Sequence, residues 1–113
     1  MRRVEPTDYA GGPSVSEAQL RARVVTLAHA AGWRVFSLPI AKTRRPVKDA
    51  VGYPDLTLAR HGQVLFLELK VDEGKLSQDQ VGWMNALPHY YVIRPGDVGT
   101  MILGRLLANG TLG

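Results

Sequence analysis

The sequence predicts a small α/β domain: a central mixed β-sheet of about four strands, flanked by helices, in the order α-β-β-β-α-β-α. Three observations favour this fold class. Short strand-like runs alternate with segments of helical periodicity, and glycine or proline punctuates the junctions between them. The length of 113 residues and a hydrophobic fraction of 45% suit one modest two-layered core. No repeat or low-complexity stretch suggests a second domain.

The N-terminal part predicts an arm, a helix and a strand. We expect residues 1–13 to form a flexible arm, punctuated by "GGP", and residues 14–113 to form the single domain. Ser14 with Glu17 fits a capping box at the start of a helix that ends at Gly32. The run "WRVFSLPI" predicts a strand that Pro39 ends. The apolar residues that recur at helical spacing mark the buried stripe of the helix: Leu20, Val24, Leu27 and Ala31.

The C-terminal part predicts a hairpin, a helix, a strand and a last helical segment. The hairpin is "GYPDLTLARHGQVLFLELK", residues 52–70. Ser77 caps the helix "QDQVGWMNAL", which Pro88 ends. The run "YYVIR" is the fourth strand, and Asp97 caps the last segment, "GDVGTMILGRLLANG".

Composition narrows the class of protein. The chain has no cysteine, which excludes a disulfide framework and a thiolate metal site. No stretch approaches the ~18 apolar residues of a membrane span, and no signal peptide is visible, so we expect a cytoplasmic protein without a membrane partner. The net charge is +4, and the basic side chains concentrate in "AKTRRPVKDAVG". That stretch predicts a mobile basic loop, which either is merely solvated or contacts phosphate.

The predicted hairpin gathers three charges on one face. A two-residue turn at His61-Gly62 fixes the register, and that register puts Asp55 directly opposite Glu68, with Cβ atoms about 4.5–5.5 Å apart. Lys70 returns to the same face because side chains alternate along a strand. The leucines of both strands point the other way, into a core: Leu56, Leu58, Leu65, Leu67 and Leu69.

Two adjacent carboxylates on a half-buried sheet repel each other, and two remedies exist. Lys70 could form a salt bridge with one of them, or a divalent cation could bind both. Hard oxygen ligands suit Mg²⁺ or Mn²⁺, and a lysine beside such a site would offset the charge that develops on a phosphate.

The residues of this hairpin match a known pattern. Pro54-Asp55, followed by "ELK" at Glu68 to Lys70, resembles the signature of the PD-(D/E)XK nucleases. The surroundings, "GYPDLTL" and "FLELKVDEGKLSQDQ" with Trp83 after them, resemble the VRR-NUC branch of that superfamily, in its stand-alone phage and bacterial form. The resemblance covers roughly residues 14–95 and implies a restriction-endonuclease-like domain.

The same resemblance implies a metal-dependent endonuclease that hydrolyses DNA phosphodiester bonds. Asp55, Glu68 and the backbone carbonyl of Leu69 would hold Mg²⁺ or Mn²⁺, with Glu17 directly or through water. Lys70 would orient or help deprotonate the attacking water and offset charge in the transition state.

Further residues have both a functional and a plainer reading. The VRR-NUC branch adds a glutamine in an "SxxQ" setting, here Gln80, and a glutamate on the first helix, here Glu17. Both could instead serve only as capping-box residues. Lys75, in a turn, could contact phosphate or simply be exposed. The basic loop would grip the DNA backbone without reading sequence, through Lys42, Arg44, Arg45 and Lys48.

Three other functions stay open: a non-catalytic nucleic-acid-binding module, a structural or partner-binding domain whose charges form only salt bridges, and a nuclease acting on RNA. For the DNA nuclease we expect a homodimer that prefers branched DNA such as four-way junctions, because symmetrical cutting of two strands needs two related sites. The candidate dimer surface is "TMILGRLL" with "HYYV", although both segments could equally complete the core.

Overall fold

The computed structural model describes residues 15–38 and 48–112, so the predicted arm and most of the predicted basic loop lie outside it. The element order is α1 (Glu17–Ala30), β1 (Arg34–Ser37), a 3₁₀ turn (Lys48–Ala50), β2 (Leu56–Arg60), β3 (Gln63–Leu69), α2 (Gln78–Ala86), β4 (Tyr90–Ile93), α3 (Pro95–Val98) and α4 (Met101–Asn109). The predicted order of elements is confirmed, with the last helical segment divided into α3 and α4.

The four strands form one mixed sheet in the order β1-β2-β3-β4. β1 and β3 both run antiparallel to β2, whereas β4 runs parallel to β3 because α2 carries the chain back across the sheet. The hairpin turn has φ of 51° at His61 and 78° at Gly62, as a type I′ turn requires. Arg60 pairs with Gln63, which confirms the predicted register.

The core lies on one face of the sheet, beneath α1 and α4. Trp33 joins it, and its indole Nε1 donates a hydrogen bond of 2.8 Å to the carbonyl of Leu107. The guanidinium of Arg60 lies 4.2 Å from the centre of the Trp33 ring. No helix in the described ranges is long and apolar enough to cross a membrane. The sheet and its covering helices contribute these buried side chains: Leu20, Val24, Ala28, Leu56, Leu58, Leu65, Leu67, Leu69, Ile93, Leu103, Leu106 and Leu107.

Helix α1 begins differently from the prediction. Its N-cap is Ser16, whose hydroxyl accepts from the N–H of Gln19, while the Gln19 side chain accepts from the N–H of Ser16. The predicted box of Ser14 with Glu17 is therefore wrong, because the neighbouring Ser-x-x-Gln frame supplies both bonds. Glu17 becomes the first residue of the helix, and its side chain is free of the cap.

Two further details of the helices differ from the prediction. The buried stripe of α1 continues from Val24 to Ala28, not to Leu27, which is 40% exposed. Helix α4 is capped by Thr100, whereas Asp97 lies inside α3 and accepts a hydrogen bond from the N–H of Arg94. The division arises at Gly99, which ends α3 one residue before the Thr100 cap.

Candidate metal and nucleic-acid site

The acidic residues meet where β2 begins and β3 ends. Asp55 immediately precedes β2, and its backbone carbonyl accepts a hydrogen bond of 2.8 Å from the N–H of Leu38. Its side chain turns toward β3 instead, where Oδ2 accepts a hydrogen bond of 2.9 Å from the N–H of Leu69. This bond fixes the Asp55 carboxylate beside Glu68, the neighbour of Leu69.

Pro54 leaves the carbonyl of Leu69 without its usual partner in the sheet. Opposed residues in an antiparallel pair exchange N–H and C=O bonds at every second position. Counting from the Arg60–Gln63 pair beside the turn puts Pro54 opposite Leu69 at such a position. Proline has no N–H to offer, and the N–H of Leu69 is already bound to the Asp55 side chain. In an extended strand the N–H and C=O of one residue point to the same side, so we expect the Leu69 carbonyl to face the Asp55 side chain.

Glu68 is a buried carboxylate with one unpaired oxygen. The residue is 4% exposed, and Oε2 accepts a hydrogen bond of 2.9 Å from Gln80 Nε2. Oε1 is buried and has no partner among the described residues. Burial raises the pKa of Glu68 to about 8. The charge of Asp55, the side-chain contact between the two carboxyl groups and the charge of Glu17 add to the rise in pKa, whereas Lys70 opposes it. An oxygen in this state is stabilised by a proton or a cation.

Gln80 serves the helix cap and the acidic site together. Its Oε1 accepts a hydrogen bond of 2.8 Å from the N–H of Ser77, which completes the capping box of α2. Its Nε2 remains free for Glu68, so the start of α2 is tied to the end of β3. The two readings of Gln80 from the sequence are therefore compatible in one geometry.

The ion pair that neutralises Asp55 involves Arg21, which sequence reasoning missed. Arg21 Nη2 lies 3.1 Å from Asp55 Oδ1 and 3.0 Å from Glu17 Oε2. The sequence carried one signal for it, since Arg21 follows Glu17 by one helical turn. It could not indicate that the helix would lie against the start of β2.

Lys70 does not form the salt bridge to Asp55 or Glu68 that the sequence allowed. Its Nζ donates a hydrogen bond of 3.3 Å to the carbonyl of Lys75 and lies 3.9 Å from Asp72 Oδ1. The side chain is 17% exposed, so its charge remains largely within the protein and close to Glu68. Lys70 is thus held by the β3–α2 loop, and its ammonium group forms no ion pair with Asp55 or Glu68.

The oxygens of Asp55, Glu68 and the Leu69 carbonyl are of the right type for a divalent cation, but they do not form a complete coordination sphere. In the described part of the chain, no three acidic or histidine side chains already surround one point. Arg21 lies between Glu17 and Asp55 and forms an ion pair with each of them. The unpaired Glu68 Oε1 and the Leu69 carbonyl are hard oxygen donors of the kind that Mg²⁺ and Mn²⁺ prefer.

A row of aromatic side chains lies beside the acidic row on the same face of the sheet. The register aligns Phe36, Thr57, Phe66 and Tyr90 across the four strands. Phe36, on edge strand β1, is 58% exposed. Burial, followed by the charges of Glu68 and then Asp55, raises the pKa of Tyr90 to about 12. Phe36 thus offers an exposed ring close to the acidic residues.

The α2 side of this face is closed by an aromatic cluster. Tyr53 packs edge-on against Phe66 at 6.3 Å and against Trp83 at 4.8 Å between ring centres. Trp83 Nε1 donates a hydrogen bond of 3.0 Å to the carbonyl of Val51. The "GYPD" turn is thereby fixed to α2, which holds Asp55 and Gln80 in one unit.

Most of the predicted DNA-binding residues lie outside the described ranges, namely Lys42, Arg44 and Arg45. Lys48 begins the 3₁₀ turn, and its side chain also lies outside the description. Lys75 is exposed in the β3–α2 loop, close to Lys70. The described structure therefore places one of the five predicted basic residues.

The fold and the site together define a small α/β domain with a carboxylate, amide and lysine cluster at one edge of a four-stranded mixed sheet. No family model matches the chain, and no curated protein or solved structure matches it significantly.

Proposed function

We propose that this protein is a metal-dependent DNA endonuclease of the PD-(D/E)XK type, resembling the VRR-NUC branch. One observation carries the proposal: Glu68 is a buried carboxylate with an unpaired oxygen, set beside Asp55 and followed by Lys70. A domain that needed only stability would gain by replacing such a group, since an uncompensated buried carboxylate is costly. A cation bound at this point would compensate the group.

Asp55, Glu68 and the Leu69 carbonyl would hold Mg²⁺ or Mn²⁺, with Glu17 directly or through water. The bound cation supplies Lewis acidity, which lowers the pKa of water and offsets phosphate charge. Lys70 would orient the attacking water and stabilise negative charge on the phosphate oxygens. Attack on phosphorus would break the bond to the 3′ oxygen and leave 5′-phosphate and 3′-hydroxyl ends.

The test is cleavage of a panel of labelled duplex, flap, splayed and four-way DNAs with Mg²⁺, Mn²⁺ or EDTA. We expect cleavage that depends on the metal and is abolished in Glu68→Gln. The matched control is Glu73→Gln, an exposed residue of the following loop, which should cleave as the wild type does. Wild-type rates in Glu68→Gln would contradict the proposal, and an RNA panel in the same buffers would reveal a ribonuclease.

A second candidate function has an observation of its own. Arg21 already neutralises Asp55 and Glu17 within the chain, as expected of a structural domain whose charges form only salt bridges. Titration calorimetry with Mn²⁺ separates the two candidates. Heat of binding that disappears in Glu68→Gln favours the nuclease, whereas no heat in either protein favours the structural domain.

For the substrate, we propose branched DNA such as a four-way junction, cut by a homodimer. Unpaired or splayed bases at a branch expose their faces, and the exposed ring of Phe36 lies on the same side of the sheet as the acidic residues. Part of the proposed dimer surface is inaccessible to a second protomer, because Leu103, Leu106 and Leu107 of α4 are buried in the core. Met101, 73% exposed, remains on that surface, and Ile102 and residues 90–92 of β4 are half-buried.

A further inference from the structure

Arg21 is a charged side chain held almost entirely inside the protein. It projects from α1, and its side chain is 13% exposed. A largely buried guanidinium is costly unless its charge is compensated, and in Arg21 both terminal nitrogens have partners although Nε has none among the described residues. The partners of Arg21 therefore indicate the role of its charge in the protein.

The two terminal nitrogens of Arg21 serve different parts of the fold. Nη1 donates hydrogen bonds of 2.7 Å to Ser37 Oγ and 2.9 Å to the carbonyl of Leu38, at the end of β1, and a longer one of 3.4 Å to the backbone carbonyl of Asp55. Nη2 donates to Glu17 Oε2 at 3.0 Å and to Asp55 Oδ1 at 3.1 Å. Nη1 thus anchors the side chain, while Nη2 faces the acidic site.

The charges around Arg21 are unevenly shared. Glu17 and Asp55 both contact Nη2, so their two oxygens lie within twice a hydrogen-bond length of each other. Glu68 receives no such cation, and its neutral partner is Gln80. Lys70 lies against the β3–α2 loop instead. The guanidinium thus compensates Glu17 and Asp55, and it leaves Glu68 with a neutral partner.

We propose that Arg21 is the resident counter-cation of this site: it neutralises Asp55 and Glu17 in the metal-free protein and competes with a divalent cation for their oxygens. This inference rests on the proposed function for the identity of the competitor. It follows from chemistry that a guanidinium and a metal ion seek the same carboxylate oxygens. Arg21 needs to give up only the contacts of Nη2, because Nη1 remains bound to β1.

The consequence is that Arg21 sets the affinity of the site for metal. The guanidinium already occupies one oxygen of Glu17 and one of Asp55, so a metal ion must displace it from them and is also repelled by its positive charge. Arg21 is therefore a positioning residue that weakens metal binding while it prevents repulsion in the empty site.

The first test is Mn²⁺ titration calorimetry on the full chain. Arg21→Gln should bind Mn²⁺ about tenfold more tightly than the wild type. Arg21→Lys keeps the charge and should stay within about threefold of the wild type. Arg23→Gln removes the same charge from an exposed position on α1 and serves as the matched control, with no change expected. Unchanged or weaker binding in Arg21→Gln, or equal tightening in Arg21→Lys, would overturn the competition.

The second test needs no metal and measures unfolding by urea in EDTA. Asp55→Asn should destabilise the wild type, because it removes the charge that Arg21 compensates. In Arg21→Gln the same change should be neutral or stabilising, because it then relieves repulsion among the carboxylates. The same sign in both backgrounds would overturn the counter-cation role.

The two tests separate this inference from the proposed function. If neither the wild type nor Arg21→Gln binds Mn²⁺, the metal-dependent nuclease fails, and the competition fails with it. The reversal of sign in EDTA decides the counter-cation role by itself in that case. If the wild type binds Mn²⁺ and Arg21→Gln binds it no more tightly, the nuclease proposal stands and the inference about Arg21 is refuted.

Discussion

At the scale of single residues, the site is governed by how each carboxylate is compensated. Asp55 has Arg21 and the N–H of Leu69, and Glu68 has a neutral amide on one oxygen and nothing on the other among the described groups. Replacing each carboxylate by its amide therefore has opposite consequences for stability. Asp55→Asn loses an ion pair, whereas Glu68→Gln removes a buried carboxyl group whose charged form is strongly disfavoured, so its benefit grows as pH rises toward the Glu68 pKa of about 8 and is complete above it.

The pH dependence of stability should report Glu68 directly. Its pKa rises from 4.5 to about 8 on folding, so the folded protein keeps a proton that the unfolded chain has lost. The metal-free protein should therefore lose stability as pH rises through this window and level off above it. In Glu68→Gln this part of the slope of unfolding free energy against pH should vanish. At pH 8 the variant should be more stable than the wild type. Urea unfolding in EDTA from pH 5 to 9 measures this, and an unchanged slope would contradict it.

Phe36 provides a residue-scale test of substrate recognition. Stacking of one base on an aromatic ring contributes about 1–3 kcal/mol, so Phe36→Ala should weaken binding of branched or single-stranded DNA about tenfold. Phe36→Tyr, which keeps the ring, should bind as the wild type does. Stability should hardly change because the side chain is 58% exposed. Fluorescence anisotropy with junction and duplex DNA measures the effect, and equal binding by Phe36→Ala would show that the ring is not used.

At the scale of secondary-structure elements, the site depends on the docking of the "GYPD" turn onto α2. Gly52 has a φ of 82°, and a Cβ there would come within 2.7 Å of the backbone carbon of Asp79 and 2.8 Å of the N of Gln80. Only glycine allows both the conformation and the approach. The turn delivers Asp55, and the helix delivers Gln80, so this contact joins the two halves of the site.

Gly52→Ala should therefore damage both stability and the site. The matched control is Gly62→Ala, because Gly62 has a similar φ of 78° but nothing within 4 Å of an added Cβ. Gly62→Ala should cost roughly 1–2 kcal/mol from backbone strain alone. Gly52→Ala should cost more and should also reduce Mn²⁺ binding and cleavage. Equal losses of stability in the two variants, with metal binding kept, would mean that the close packing is unimportant.

We expect the basic residues between β1 and the 3₁₀ turn to contribute to DNA binding through phosphate contacts. Replacing Arg44 and Arg45 by Gln should weaken binding to every DNA sequence alike and reduce the slope of log affinity against log salt by roughly two. Arg105→Gln, on the exposed side of α4, is the control and should have little effect. Binding measured from low to moderate salt tests this, and an unaltered slope would place the phosphate contacts elsewhere.

At the scale of the whole molecule, symmetrical cutting of two DNA strands requires two sites in fixed relation. One protomer carries one candidate site on a 12.4 kDa chain, and a two-fold dimer would place two sites in fixed relation. We expect a homodimer that cleaves four-way junctions faster than linear duplex. Light scattering at micromolar concentration that finds only a 12.4 kDa species, with and without junction DNA, would refute the dimer. Equal cleavage of duplex and junction would refute the preference alone.

The sequence determined the hairpin by itself. His61-Gly62 sets the turn, the turn sets the register, and the register with its period of two puts Asp55 and Glu68 on one face and the leucines on the other. The capping box at Ser77 likewise placed Gln80, because its bonds span only three residues. Each of these features depends on contacts that are local along the chain or transmitted by strand pairing.

Only the tertiary structure decided which cation meets the carboxylates. Arg21 reaches Ser37, 16 residues away, and Asp55, 34 residues away, because α1 packs on the sheet against β1 and β3. Lys70, the nearer candidate in sequence, lies instead against the loop that follows it. Periodicity identifies the buried side of a helix. It does not identify the partners of a charged side chain at the edge of that side, such as Arg21, because those depend on how α1 is placed on the sheet. That placement comes from packing between segments distant in sequence, which local patterns do not encode.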